Sequence, residues 1–157
     1  MRFRYRSIIS FDAEKGTPLL LMRPEIPVTV VGTRGTVTYS ALVDTGADNV
    51  VFPRSVADEL GIELHPCERC QATGFGGGTV SLLSGLTTLE IGDSQERLRW
   101  TTRVLFNDCE PEQDEIVLLG YLGFLEFFQA NFDGPKGWLE LTPSVRLPVV
   151  TASESPR

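Results

Sequence analysis

The chain has 157 residues, enough for one domain with a real core, and length alone gives no reason to split it. Its formal charge is −7, from 14 Lys and Arg against 21 Asp and Glu. That balance argues against a nucleic-acid partner, because neutralising phosphates takes clustered basic residues. Hydrophobic residues make up 41%, a globular value, while 15 glycines and 10 prolines favour many turns and short strands over long helices.

Residues 2–10 alternate well enough for a strand, with Arg2, Arg4 and Arg6 on its solvated side. No apolar stretch of signal-peptide length follows before Asp12 and Glu14, and no run reaches the roughly 18 apolar residues of a membrane span. A cytoplasmic location without membrane contact is therefore expected. Residues 18–22 and 26–31 are short apolar runs bounded by Pro24, Pro27 and Gly32. Residues 32–35, Gly-Thr-Arg-Gly, make a hairpin turn, and 36–43 form the returning strand.

After Asp44-Thr45-Gly46 comes a second apolar strand, 50–52, stopped by Pro53. A short helix over 55–60 follows, with Gly61 as its C-terminal cap. Residues 69–92 have the pattern of a hairpin with a glycine-rich tip at 74–78. Gly92-Asp93-Ser94 turns into a strand over 98–106, and 107–115 is a polar, acidic loop. Residues 116–119 are a buried strand by length and apolarity, and a short helix is expected within 122–128. Its Phe124, Phe127 and Phe128 would share one core-facing side. Residues 130–141 form a last hairpin turned at 134–137. The expectation is a single all-β domain over 1–141 with one or two short helices, then a tail over 142–157 that is partly mobile.

The segment 41–52, A-L-V-D-T-G-A-D-N-V-V-F, carries the chemistry. Asp is unfavourable inside a strand pattern and costly to bury unpaired, so Asp44 between two apolar strands needs an explanation. A turn built on Asp-Thr-Gly is the plain one. The wider context resembles the retropepsin-like aspartic proteases, the single-domain family that includes retroviral proteases. Four features stand in the family's order over roughly residues 25–141. They are the active-site block 41–52, the glycine-rich hairpin at 74–78, Leu118-Leu119-Gly120, and a short apolar helix with a closing strand over 137–141.

The resemblance implies an acid-protease half-domain, a closed β-barrel that pairs with an identical chain about a twofold axis. It implies Asp44 as the catalytic carboxylate. Thr45 and Gly46 would support it, Thr45 by bonding across the dimer and Gly46 by letting the backbone turn tightly. Ala47, Asp48 and Asn49, with Gly74, Phe75, Gly76 and Gly77 of the flap, would contact the peptide. Many cellular relatives carry Ser or Thr where Ala47 stands here. The implied reaction is peptide-bond hydrolysis without a cofactor, by water activated between two Asp44 carboxylates. No second Asp-Thr-Gly or Asp-Ser-Gly occurs in the chain, so the partner must be a second copy. The alternative is a catalytically silent peptide-binding or dimerisation module of the same fold.

Two features depart from the family or compete with it. Tyr121 and Leu122 follow Gly120 where many members have Arg and then Asp or Asn, so the usual cation beside Asp48 is missing, and Arg23 or an N-terminal arginine is the candidate replacement. Separately, His65, Cys67, Cys70 and Cys109 could form a zinc or redox site, but one C-x-x-C pair without a partner pair is a weak metal signal. The expectation is no metal, with three cysteines near the base of the flap.

Overall fold

The structure is a computed structural model that describes residues 1–73, 79–107 and 117–148, with the backbone alone at 68–73 and 79–80. Seven strands build the main sheet: β4 (Glu25–Gly32), β5 (Gly35–Val43), β6 (Val51–Pro53), β7 (Leu64–Thr73), β8 (Thr79–Gly92), β9 (Arg97–Asn107) and β10 (Val117–Leu119). Their order is β4-β5-β10-β6-β9-β8-β7, and β8 also pairs with β4. That extra pairing closes a ring of six strands, with β7 outside it as the partner of β8 alone. Closure leaves those six strands without a free edge.

Alternation along the strands fills the interior. Val28 and Val30 of β4, Phe52 of β6, Leu89 and Ile91 of β8, and Trp100, Val104 and Phe106 of β9 are all buried in one cluster. The one α-helix among the described residues, α1 (Arg54–Leu60), buries Val56, Ala57 and Leu60 against it. Gly61 ends the helix at φ 66°, the left-handed conformation expected of the cap. The Tyr39 hydroxyl donates to Glu59 at 3.1 Å, tying β5 to this helix. Burial first, and then the Glu59 carboxylate, push the Tyr39 phenol up to about 12.

The expected strand over 2–10 is two strands, β1 (Arg2–Arg4) and β2 (Arg6–Phe11). The break falls at Tyr5, whose N–H donates to Gly137 O at 2.8 Å. Before it, β1 pairs with β12 (Trp138–Pro143), which pairs in turn with β11 (Phe128–Asp133). Beyond it, β2 pairs with β3 (Pro18–Arg23) in a separate two-stranded sheet. Phe3, Leu139 and Leu141 belong to the same buried cluster as the barrel, so the terminal sheet shares the barrel's core. Arg2 and Arg4 lie on the solvent side, over the Trp138 ring.

The short helix expected within 122–128 is a three-residue 3-10 turn, Leu125–Phe127, and Phe128 already belongs to β11. Gly123 at φ +91° sets the turn, and its N–H donates to Glu126 Oε1 at 2.7 Å. The expected shared aromatic side is correspondingly reduced. Phe124 and Phe128 are buried against Trp100, while Phe127 is half-buried. Strand β12 runs on to Pro143, and Leu147 is buried in the core, so the packed chain extends past residue 141. Among the described residues no helix is long and apolar enough to cross a membrane.

The β8–β9 turn ties the N-terminus to the barrel. Asp93 accepts N–H groups from Gln95, Glu96 and Arg2. These bonds, with Gln95 foremost, hold its carboxyl below the ordinary value. A depressed folded value contributes stability above the unfolded value, near pH 4, and that contribution is lost as pH falls through the folded value. Asp93→Asn should therefore lower the melting temperature at neutral pH, and the gap to wild type should close below about pH 4. Melting curves at pH 7 and pH 3 check this, and a gap that persists at pH 3 would contradict it.

Candidate active site

Asp44 sits where β5 ends, and the course of the chain around it is unusual. Strand β10 pairs in parallel with β5, setting Val43 beside Leu119, and antiparallel with β6, setting Leu118 opposite Val51. The chain therefore leaves β5, passes over the end of β10 through residues 44–50, and returns as β6 on the far side. A strand distant in sequence is wedged under the loop that carries the carboxylate.

Four backbone hydrogen bonds lace that loop to the segment leaving β10. Asp44 N–H donates to Leu119 O, Tyr121 N–H to Ala47 O, Leu122 N–H to Asp48 O, and Val50 N–H to Leu122 O, at 2.8–3.1 Å. Asn49 and Leu122 form a bridge at the same place. The approach is so close that a Cβ on Gly120 would stand 2.3 Å from Asn49 O and 2.5 Å from Ala47 O. Only glycine can occupy that position, which gives the expected Leu118-Leu119-Gly120 element its physical basis.

The carboxylate is half-buried, and its Oδ1 accepts the Gly46 N–H at 2.8 Å. The Asp44 carbonyl accepts Ala47 N–H at 3.3 Å, completing a tight turn. One oxygen is thus oriented by the backbone, and among the described residues the other has no hydrogen-bond partner. Such a group can take a proton from water. It cannot at the same moment polarise a carbonyl as an acid, so a single such carboxylate cannot fill both roles.

The neighbours fall into place unevenly. Thr45 is exposed, and among the described residues its side chain makes no hydrogen bond within the chain. Ala47 and Asn49 are half-buried and Asp48 is exposed, all on the loop. The arginines expected to replace the missing cation beside Asp48 are engaged elsewhere. Arg6 lies 2.9 Å and Arg23 3.8 Å from the Glu25 carboxylate. Within one chain, then, the ion pairs of these two arginines go to Glu25. The flap residues Gly74, Phe75, Gly76 and Gly77 lie outside the described residues, although β7 and β8 do pair as the hairpin leading to them.

The metal alternative loses its central ligand. Cys67 is disulfide-bonded, so its sulfur is not a thiolate donor. His65 is exposed and faces Glu63 at 3.9 Å. The side chain of Cys70 and all of Cys109 lie outside the described residues, among which no metal-holding cluster occurs.

A six-stranded barrel with one Asp-Thr-Gly loop, locked over an apolar strand and its glycine, defines the half-domain of an acid protease. A family model described as aspartyl protease matches residues 26–122, more than half of the chain. The chain belongs to the retropepsin-like aspartic protease family. Among solved structures, EIAV protease complexed with the inhibitor HBY-793 is similar at 23% identity, over 71% of this chain and 86% of that one, with a TM-score of 0.45. No curated protein matches the chain.

The two glycines beside Asp44 should respond differently to a methyl group. Gly120→Ala meets backbone oxygens that cannot yield, and it should cost about 3 kcal/mol or more, or prevent folding. A Cβ on Gly46 would meet only Asp44 Oδ1, at 3.3 Å, so Gly46→Ala should fold with a much smaller loss. Denaturant midpoints of the two variants check the ranking.

Proposed function

We propose that the chain is an aspartic endopeptidase, complete only as a symmetric homodimer in which each copy supplies Asp44. The observation that carries this reading is the Asp44 carboxylate itself, oriented by the Gly46 N–H on a loop laced to the strand beneath it, with no second Asp-Thr-Gly or Asp-Ser-Gly in the chain. In the pair, the ionised Asp44 takes a proton from the water between them, and the water oxygen attacks the scissile carbonyl carbon. The protonated Asp44 of the second copy hydrogen-bonds the carbonyl oxygen and stabilises the charge that develops there. Collapse of the tetrahedral intermediate breaks the C–N bond, and the leaving nitrogen takes its proton from a carboxyl. No cofactor enters any step.

The remaining roles follow from position. Thr45 is exposed at the tip of the loop, where its unengaged hydroxyl would bond across the axis to the second copy. Asp48 and Asn49 extend from the same loop toward the main chain of a bound peptide, beside Ala47. The glycine-rich stretch 74–78, which follows β7 and precedes β8 in the sequence, would close over that peptide, with Phe75 pressing on it.

Two measurements test the reading. Asp44→Asn keeps the shape and removes the base. It should lower kcat/KM on a diverse peptide pool by about 100-fold to 10,000-fold or more, with an unchanged circular dichroism spectrum. Wild-type turnover in that variant would end the assignment. Specific activity of the wild type should also fall on dilution, as it must when the active species is a dimer.

The pH profile adds a finer test. The reaction needs one proton shared by two carboxylates, so activity should decline on both sides of an optimum. Ala47 offers no hydroxyl to the carboxylate beside it. Ala47→Ser would add a donor that favours the charged form, moving the alkaline limb of kcat/KM toward acid while activity remains. An unmoved limb, with the dimer intact, would show that something else sets the range.

A further inference from the structure

We infer that the β2–β3 hairpin, residues 6–23, is a dimerisation arm that lays its apolar face on a second copy of this chain. The inference rests on the homodimer proposed above and assigns the surface that holds it together.

The hairpin is apolar on a face that its own chain leaves uncovered. Ile9 stands opposite Leu20, Phe11 opposite Pro18, and Ser7 opposite Met22, so these side chains share one face. Ile9 is 75% exposed, Phe11 66%, Leu20 62% and Met22 42%. No residue of 6–23 belongs to the buried core or to the half-buried side chains packed on it. The opposite face, with Ile8 and Leu21, is half-buried. An isolated two-stranded hairpin is at best marginally stable in water, and a contiguous apolar patch on a small protein marks an interaction surface.

The position of the hairpin identifies the occupant. Its foot is Pro24, whose carbonyl accepts the Val43 N–H at 3.0 Å, one residue before Asp44. Arg6 and Arg23 flank that foot and pair with Glu25. Met22 Cε lies 3.0 Å from where a Cβ on Gly137 would stand, which sets the hairpin against the β11–β12 turn. Any twofold axis that brings two Asp44 carboxylates together passes beside this foot. Six-residue strands reach about 20 Å, a length sufficient to span from such an axis onto a second copy. Within one chain β1 already pairs with β12, which leaves the terminal sheet only its two outer edges, β1 and β11.

The test combines Ile9→Ser, Phe11→Ser and Leu20→Ser in the full chain and measures mass by sedimentation equilibrium over a concentration series. The wild type should dimerise, and the variant's dissociation constant should rise by about 100-fold or more, the scale of losing apolar anchors. Melting of both proteins, diluted to monomer, should agree. In the unmutated wild type, amide exchange over 6–23 should slow as the dimer forms, which decides the matter should the variant misfold. A variant that dimerises as tightly as wild type, or exchange over 6–23 indifferent to dimer formation, overturns the arm and leaves the homodimer standing. A wild type that stays monomeric at every concentration overturns both.

Discussion

The contact between the Gly120 backbone and the carbonyls of Ala47 and Asn49 is the constraint on which the rest depends. It lets the Asp44 loop settle onto the end of β10, and the four backbone bonds around it leave the loop little freedom. Strand β10 pairs in parallel with β5, and parallel neighbours need a crossover. Here the crossover runs from the end of β5 at residue 43 to the start of β10 at residue 117 and includes most of the barrel. The carboxylate is therefore placed by contacts of very high sequence separation, which form late and cost the most loop entropy. In return, the loop cannot loosen without opening the barrel, so its stability approaches that of the whole fold.

Electrostatics sets the second constraint. Asp44 has a single backbone donor at 2.8 Å, and Asp48 beside it has no ion pair among the described residues. A chain of net charge −7 that brings two such loops together works against its own charge. Screening at physiological salt removes repulsion beyond about 8 Å and leaves the close carboxylates opposed. Association in the proposed homodimer would then draw on apolar burial near the axis. The exposed face of the β2–β3 hairpin is apolar surface of that kind, and its foot lies one residue from Asp44.

The barrel strands and the site were legible in the sequence to different depths. Short apolar runs and the turn residues around them placed β4, β5 and β9 to within one or two residues. Proline before and glycine after bracketed α1 for local, steric reasons. Patterns could not show that residues 2–10 break at Tyr5, since the break comes from pairing with β12, more than 130 residues away. The expected helix near 122–128 shrank to one 3-10 turn for a similar reason. The Trp100 indole N–H donates to Gly123 O, and Phe128 is drawn into β11, so tertiary packing overrides a helical spacing of aromatics. The engagement of Arg6 and Arg23 by Glu25 and the disulfide at Cys67 are both products of folding that composition does not encode.

The terminal strands separate folding from assembly. With β1 paired to β12 and Phe3 buried in the common core, one copy closes its barrel and its terminal sheet alone. A dimer of such copies joins finished domains, so its affinity can change without unfolding either one. In the proposed homodimer, however, the catalytic pair exists only on association, since each chain brings one Asp44. Under the proposed assembly, the hairpin arm sets the concentration at which activity appears, while Gly120 and the strand beneath it set whether the carboxylate is correctly held. Those two controls act on different residues and different equilibria, the first intermolecular and the second a property of the folded chain.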